Sequence, residues 1–393
     1  MPWLKNTWKS TRAFLENRGN MKKIRVLHIG TSGEKGGIDS FIINMCSHLN
    51  ADEYEFSIIA DCEKTAIENE FQAAGVSVIY VPSAVKSKIR YASALWHVIR
   101  RKDFDVVHCH KNSLANPLPI IIGVFKRIPL VIVHSHNTHA TQLTASGKVH
   151  NAFKKILKRM NVYRLACSDK AAEWLFGDDY QKQGVMILKN GIDLTKYRFN
   201  GKVRGEVRQE LGIHSDQTLA ICNVGRLSEQ KNSLFILRIF DALHRIEPDS
   251  RLFMVGTGEL EDEVKAVAGS LESSESISFL GRRSDVNRLY QGVDLFLMPS
   301  LHEGLPIAAV EAQTASLPLL ISDTVDSDVR LTDQTEFESL QKSAEEWAKH
   351  CLLLARRSER CDCSKQITKA GYNIEDSVQY LDHLYKMVGV VRK

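Results

Sequence analysis

IRVLHIGTSGEKGGIDSFIINMCSHL, residues 24–49, passes from a short apolar run through a glycine-rich turn into a helical pattern. In its second half Ile38, Phe41, Ile42, Met45 and Leu49 recur at three- and four-residue spacing, which gathers them on one face of a helix. Strand, glycine loop, helix is the opening move of a doubly wound α/β unit. A dinucleotide fingerprint would need G-x-G-x-x-G, with an acidic residue closing the next strand. Asp61 closes the next strand, but Gly30, Gly33 and Gly36 stand three apart, so an NAD site is disfavoured. Two readings of the loop stay open: a plain tight turn, or a helix N-terminus at which Gly36 and Gly37 bring backbone N–H groups to a phosphate or sugar.

Outward from this stretch the alternation continues. FSIIA, VSVIYV, DVVHCH, LVIVHSH, RLACS and VMILKN are compact β-rich runs, separated by helix-compatible segments such as ALWHVIRRK and NAFKKILKRM. Continuous apolar strands between helices predict a parallel sheet covered on both faces. After the turn NGID (Asn190–Asp193) the plan repeats with LAICNVG, RLFMVG, ISFLG, VDLFLMPS and LPLLIS. A chain of 393 residues exceeds what one core supports, so two domains are expected. The boundaries are read as an extension at 1–20, an N-terminal Rossmann-like domain at 21–195, a second at 196–374, and a final helix within 375–393 that returns to the first domain. Ligands are expected in a cleft between two such domains.

Composition is ordinary, 44% apolar and 25% charged, which excludes collagenous, disordered and disulfide-stapled classes. The net charge of +5 conceals an asymmetry. Residues 1–200 hold 29 Lys+Arg against 17 Asp+Glu (+12), leaving 23 against 30 (−7) for residues 201–393. A basic first half suits phosphates or an anionic membrane face, or is simply solvated. The eight cysteines form no CxxC pair and read as reduced thiols in a cytosolic protein; Cys361 and Cys363 lack the second pair a metal site would need. The longest apolar stretch, Pro117–Phe125, is cut by Lys126 and Arg127, too short to span a bilayer. The first 20 residues set Trp3, Trp8 and Phe14 among Lys5, Lys9, Arg12 and Arg18, without a signal peptide's apolar core. They read as an amphipathic or frayed extension, with Met21 as an alternative start.

Three constellations point to chemistry. His108/His110 and His134/His136 end apolar strands, and side chains two apart on a strand share a face. No further ligand recurs at a fixed offset, so hydrogen-bonding or acid/base use is preferred over metal. NVGRLSEQKN sets Arg226 just past a strand and Lys231 at the opening of the next helix, two cations suited to a diphosphate unless both are merely solvated. EGLPIAAVEAQ sets Glu303 and Glu311 eight residues apart, about 80° around a helix, so that both reach a ligand lying over its entrance.

With GGIDSF, DVVHCH, LKNGID, VGRLSEQKN, MVGTGEL, FLGRRSDV and PSLHEGLPIAAVEAQ in this order between Ile24 and Asp323, the chain resembles the retaining nucleotide-sugar glycosyltransferases of family 4. That resemblance implies the GT-B architecture, two facing Rossmann-like domains, and a hexosyltransferase activity. It implies that Arg226 and Lys231 neutralise the donor diphosphate with the amides of Gly304 and Leu305, and that Glu311 binds the donor ribose. Glu303 and His110 would lie beside the transferred sugar and backbone near Gly281 and Arg282 would hold the base. Gly36, Gly37, His136 and Asn137 would shape the acceptor side. No metal or other cofactor is implied, no nucleic acid, and no covalent nucleophile.

HSHN (His134–Asn137) and the EGLPIAAVEAQ variant look most like bacterial enzymes of capsule or exopolysaccharide assembly. The partners then implied are a UDP-sugar donor and a lipid-linked or oligosaccharide acceptor, with peripheral association at the cytoplasmic membrane face. One departure stands out: Ser316 in TASLPLL occupies a position where the family usually has glycine, an expected change of local turn only. The rival activities are a nucleotide-sugar epimerase of the same architecture and a non-catalytic nucleotide-sugar-binding protein.

Overall fold

The computed structural model describes residues 22–31, 33, 36–101, 103–137, 145–303 and 306–388, without the side chains of 101, 145 and 146. The extension at 1–20, Gly304 and Leu305 lie outside the described residues. The chain forms two compact units, one comprising Met1–Ala166, Ala171–Met186 and Tyr380–Lys393, the other Cys167–Lys170 and Ile187–Gln379.

In the first unit the strands β1 (Ile24–Ile29), β2 (Tyr54–Ala60), β3 (Val76–Tyr80), β4 (Val106–Lys111), β5 (Leu130–Ser135), β6 (Tyr163–Ala166) and β7 (Met186–Ile187) form one sheet in the order 3-2-1-4-5-6-7. The pairings of β1 to β6 are parallel. Every residue of β4 is buried, as expected of a strand covered on both faces. The register sets His28 beside His108 and His110 beside His134. Gly30 has φ +150, and a Cβ there would lie 2.6 Å from the carbonyl oxygen of His110, so glycine lets the end of β1 close against β4.

The second unit repeats the plan with β8 (Leu219–Val224), β9 (Ser250–Val255), β10 (Ile277–Phe279), β11 (Leu295–Met298), β12 (Leu319–Ser322) and β13 (Thr335–Glu338), in the parallel order 10-9-8-11-12-13. Its two core clusters separate by residue parity. Leu219, Ile221, Leu252, Met254, Leu295 and Leu297 pack with Phe240 and Trp347. Ala220, Cys222, Phe253, Val255, Phe296 and Met298 pack with Tyr290 and Ala312. Alternate side chains feed opposite faces, so each apolar run serves two helical layers.

The NGID turn, expected at the domain boundary, is stitched into the second unit. Ile192 N–H donates to the Tyr372 carbonyl (2.8 Å), Ile374 N–H donates to the Ile192 carbonyl (3.0 Å), and a Cβ on Gly191 would sit 2.7 Å from Ile374 Cα. The division consequently falls at Met186/Ile187, and the helix Ile374–Lys386 carries the chain back into the first unit. Ser316 adopts φ +56, the left-handed region where glycine is at ease. Its hydroxyl accepts the Cys361 N–H (2.8 Å), a tie that glycine could not make.

Candidate active site

In each sheet the strand order reverses direction between two central strands, β1/β4 and β8/β11, and such switch points are where open α/β sheets form their ligand crevices. At the second switch point the loops after β8 and β11 are zipped together. Leu301 N–H donates to the Gln230 carbonyl (2.8 Å) and Gln230 Nε2 donates to the His302 carbonyl (3.1 Å). This places Lys231 Nζ 2.5 Å from Glu303 Oε1, an ion pair outside hydrogen-bonding angles, with only 17% and 9% of the two side chains exposed. Asn232, left-handed at φ +55, then turns the chain into the helix Ser233–Ile246.

Arg226 lies on the same loop, exposed and without an ion-pair partner among the described residues. Glycine lets that loop lie close to its neighbour: a Cβ on Gly256 (φ +127) would fall 1.9 Å from the Gly225 carbonyl oxygen, and one on Gly258 would fall 2.1 Å from that of Leu227. Farther along the same strand ends, Gly281 is left-handed (φ +60) and its carbonyl accepts the Gly256 N–H. Arg282 Nε donates to Thr257 Oγ1 (2.9 Å). Arg226, Lys231, Gly281, Arg282 and Glu303 thus share the carboxyl edge of one sheet. Three buried polar atoms near β8 and β11, Asn223 Oδ1, Ser300 Oγ and Glu303 Oε1, have no hydrogen-bond partner among the described residues.

Glu311 lies on the helix Ile307–Thr314 that follows the Glu303 loop, where Tyr197 Oη donates to Oε1 (2.7 Å) and Tyr290 Oη approaches Oε2 at 3.5 Å. Burial, followed by the Glu311 charge, raises the pKa of both phenols, so they remain protonated donors. Of the two glutamates, Glu303 pairs with Lys231 and Glu311 is a phenol-clasped carboxylate. Tyr197 and Tyr290 come from two separate helices, Leu194–Tyr197 just after LKNGID and Val286–Gly292 at the end of FLGRRSDV, and neither motif's own residues signal that the two phenols converge on Glu311.

In the first unit the helix Gly37–His48 begins as expected, but its N-terminus is already capped by a side chain of its own. Asp39 is 1% exposed, and its Oδ2 accepts the Gly36 N–H (3.0 Å). A phosphate at that amide would have to displace an internal carboxylate. The two HxH pairs share a face with a fifth ring, His28 of β1. His28 Nδ1 meets His110 Nε2 (3.0 Å), His110 Nδ1 meets His136 Nε2 (2.9 Å), and His108 Nε2 meets His134 Nδ1 (3.2 Å).

His110 is 2% exposed with both ring nitrogens engaged, so its side chain is not open to a sugar in the way the resemblance implied. His136 and Asn137 are half-buried beside it. Desolvation lowers all five histidine pKa values, to about 3 for His28 and His136, and keeps the rings neutral. Ring nitrogens of His28, His108 and His110, and of His110, His134 and His136, lie within 4.8 Å of one another, close enough for a metal ion. The closest contacts have hydrogen-bond spacing. All eight cysteines are free thiols and six are buried; Cys361 Sγ lies 3.7 Å from Cys363 Sγ.

Residues 35–196 match the family described as Glycosyltransferase Family 4, and residues 203–369 match Glycosyl transferases group 1. The chain is 27% identical over 380 residues to the putative glycosyltransferase EpsF of Bacillus subtilis, covering 94% of this chain and 98% of that one. It is 22% identical over 318 residues to the UDP-Gal:alpha-D-GlcNAc-diphosphoundecaprenol alpha-1,3-galactosyltransferase of Escherichia coli, covering 77% and 80%. Among solved structures, Anabaena HepE in complex with UDP and glucose superposes with a TM-score of 0.72 at 16% identity, covering 92% of this chain and 99% of that one. WaaG, a glycosyltransferase involved in lipopolysaccharide biosynthesis, gives 0.64 at 18% identity, covering 93% and 97%.

Proposed function

The chain carries one glycosyltransferase domain in each half and is a glycosyltransferase of GT-B architecture, and from that premise we propose that it moves a hexose or N-acetylhexosamine from a UDP-sugar, with retention, to a lipid-linked or oligosaccharide acceptor of a bacterial surface polysaccharide. The observation that carries the donor half of this reading is the Arg226, Lys231, Glu303 constellation at the β8/β11 switch point. Without ligand, Lys231 is balanced by Glu303 and Arg226 contributes an uncompensated positive charge. A diphosphate fits that imbalance: it pairs with Arg226 and draws Lys231 from Glu303, leaving the carboxylate beside the sugar.

Breaking the anomeric bond creates an oxocarbenium-like centre and a nucleoside diphosphate of growing negative charge. Fixed cations stabilise that charge more in the transition state than in the ground state. Glu303 then faces developing positive charge on the sugar. The relative named for GlcNAc-diphosphoundecaprenol supports a lipid-linked acceptor, and one named for teichuronic acid biosynthesis supports a surface-polymer product.

A membrane-face location is supported by the first unit's basic charge and by two of its helices, Lys88–Arg101 and Leu118–Phe125. These meet through Trp96 and Phe125 (5.6 Å) and expose Phe125 at 70%, beside Lys126 and Arg127. No helix of the described residues is long and apolar enough to cross a membrane.

The deciding experiment is titration calorimetry of UDP with the wild type and with Arg226→Ala and Lys231→Ala. Each variant is expected to bind at least roughly tenfold more weakly, about 1.4 kcal/mol. Lys231→Ala should be the more damaging, since it also leaves the Glu303 carboxylate unbalanced against the phosphates. Unchanged UDP affinity in both would sink the assignment.

A further inference from the structure

The five histidines of the first unit are joined by hydrogen bonds into two unbranched chains. One begins at Cys46 Sγ, 3.6 Å from His28 Nε2, crosses His28 to His110 and His110 to His136 through the 3.0 and 2.9 Å contacts, and ends on His136 Nδ1. The other begins at Tyr385 Oη, 2.8 Å from His108 Nδ1, crosses to His134, and ends on His134 Nε2. Both terminal nitrogens are buried without a hydrogen-bond partner among the described residues.

A neutral imidazole has one N–H and one lone pair. Every nitrogen–nitrogen contact must therefore set a donor against an acceptor, and the tautomer of one ring dictates the next. In the Cys46 chain only two arrangements satisfy all contacts. With every ring as Nδ1–H, the thiol donates at one end and His136 offers an N–H at the other. With every ring as Nε2–H, the sulfur accepts and His136 offers a lone pair. A mixed chain turns N–H toward N–H, or lone pair toward lone pair, at about 3 Å and forfeits a buried hydrogen bond.

We propose that His136 Nδ1 is the atom of this chain that binds a hydroxyl of the sugar acceptor, and that His110, His28 and Cys46 are positioning residues that fix the tautomer His136 presents. The proposal rests on the transferase reading for the identity of its ligand, but the tautomer coupling does not. It explains why His110 has no free nitrogen: its influence on a ligand passes through His136. It also gives a buried thiol, Cys46, a function at the far end of the row. A hydroxyl is the matching chemistry, since it can donate to a lone pair or accept from an N–H, whereas a carboxylate or phosphate could only accept.

The test is long-range 1H–15N correlation NMR on protein labelled with 15N-histidine, with single His→Gln variants for assignment. In the unliganded wild type His28, His110 and His136 are expected to share one tautomer. Cys46→Ala should leave His110 and His136 as a mixture, and Cys46→Ser, whose hydroxyl both donates and accepts, should restore uniformity. His108 and His134 should not change in either. Different tautomers along the wild-type chain, no response to Cys46→Ala, or one equivalent of tightly bound Zn2+ displacing the shared protons would each overturn the coupling.

The ligand half is read by adding methyl glycosides of glucose, galactose and N-acetylglucosamine at saturating concentration, then UDP alone. A glycoside should shift His136 Nδ1 by several ppm, and UDP should not. Absence of a glycoside shift in protein that binds UDP overturns the hydroxyl contact, whereas failure to bind UDP counts against the transferase reading and leaves the tautomer result standing.

Discussion

Acidification should unfold the first unit at a pH where the second is still intact. Burial lowers the pKa of His28 and His136 to about 3 in the folded chain, against about 6.5 when unfolded. A lowered folded value means the unfolded chain binds the proton more readily. The stabilisation is therefore complete above about pH 6.5 and is lost as pH falls from there toward 3. Each group costs about 1.4 kcal/mol per pH unit in that window, so at pH 5 each costs about 2 kcal/mol and the two together about 4.

His108, His110 and His134 are shifted the same way and add to the loss. Total stabilities are about 5–15 kcal/mol, so this is a large share. Asp39, whose pKa burial raises, acts in the opposite sense and offsets part of it. The lowered carboxyls, Asp179, Asp285 and Asp362 from 3.8 and Glu338 and Glu345 from 4.5, lose their contribution mainly below about pH 5, under the assayed range. Urea unfolding at pH 7, 6 and 5, followed by hydrogen exchange of peptides from β1, β4 and β5 against β8 and β11, measures the effect. The expected slope corresponds to uptake of two or more protons between pH 6 and 5. A slope below one proton, or earlier loss of protection in β8 and β11, would refute the neutral, buried histidine row.

Four further outcomes follow from local geometry. Gly256→Ala drives a Cβ into the Gly225 carbonyl at a φ of +127, and should cost on the order of 3 kcal/mol and weaken UDP binding by displacing the Arg226 loop; a melting scan and calorimetry read both. Ser316→Gly relieves a left-handed backbone but loses the tie to Cys361, so its melting temperature should stay within about 2 °C of wild type; Ser316→Ala keeps the strain, loses the tie and should fall by more. Tyr197→Phe leaves Glu311 Oε1 short of its phenol donor and should cost about 1–3 kcal/mol in urea unfolding. Acceptor-dependent UDP release should persist in EDTA, and complete, Zn2+-rescued loss would favour metal in the histidine row.

What could be read from the chain was whatever the backbone enforces locally. The β-rich runs and their glycine turns determine a doubly wound unit, because a strand buried on both faces has no other way to cover itself, and the parity split of Leu219 and Ile221 from Ala220 and Cys222 is that same pattern in packed form. The Arg226 to Lys231 spacing was legible because both lie on one loop. Lys231 pairing with Glu303 was not, since the two residues are 72 apart and it is the bonds of Gln230 to Leu301 and His302 that bring their loops together. Glu311 shows the limit from the other side: its periodicity on the helix was readable, but the phenols that clasp it come from two separate helices.

The histidines show best what pattern alone withholds. Each HxH pair declares a shared face, but whether that face binds metal, sugar or other histidines depends on the neighbouring strand's register. β4 pairs with β1 so that His28 stands beside His108, and with β5 so that His134 stands beside His110. A shift of one residue in either pairing would turn a strand's histidines to the opposite face and break the row. Strand register, fixed by the apolar residues between the histidines, thus sets His110 between His28 and His136, occupies both its nitrogens and leaves the unpartnered nitrogen on His136. His110→Gln, which keeps one donor and one acceptor, should consequently disturb His136 more than it disturbs UDP binding, and equal UDP affinity with an altered His136 spectrum is the result that distinguishes a positioning residue from one that touches the donor.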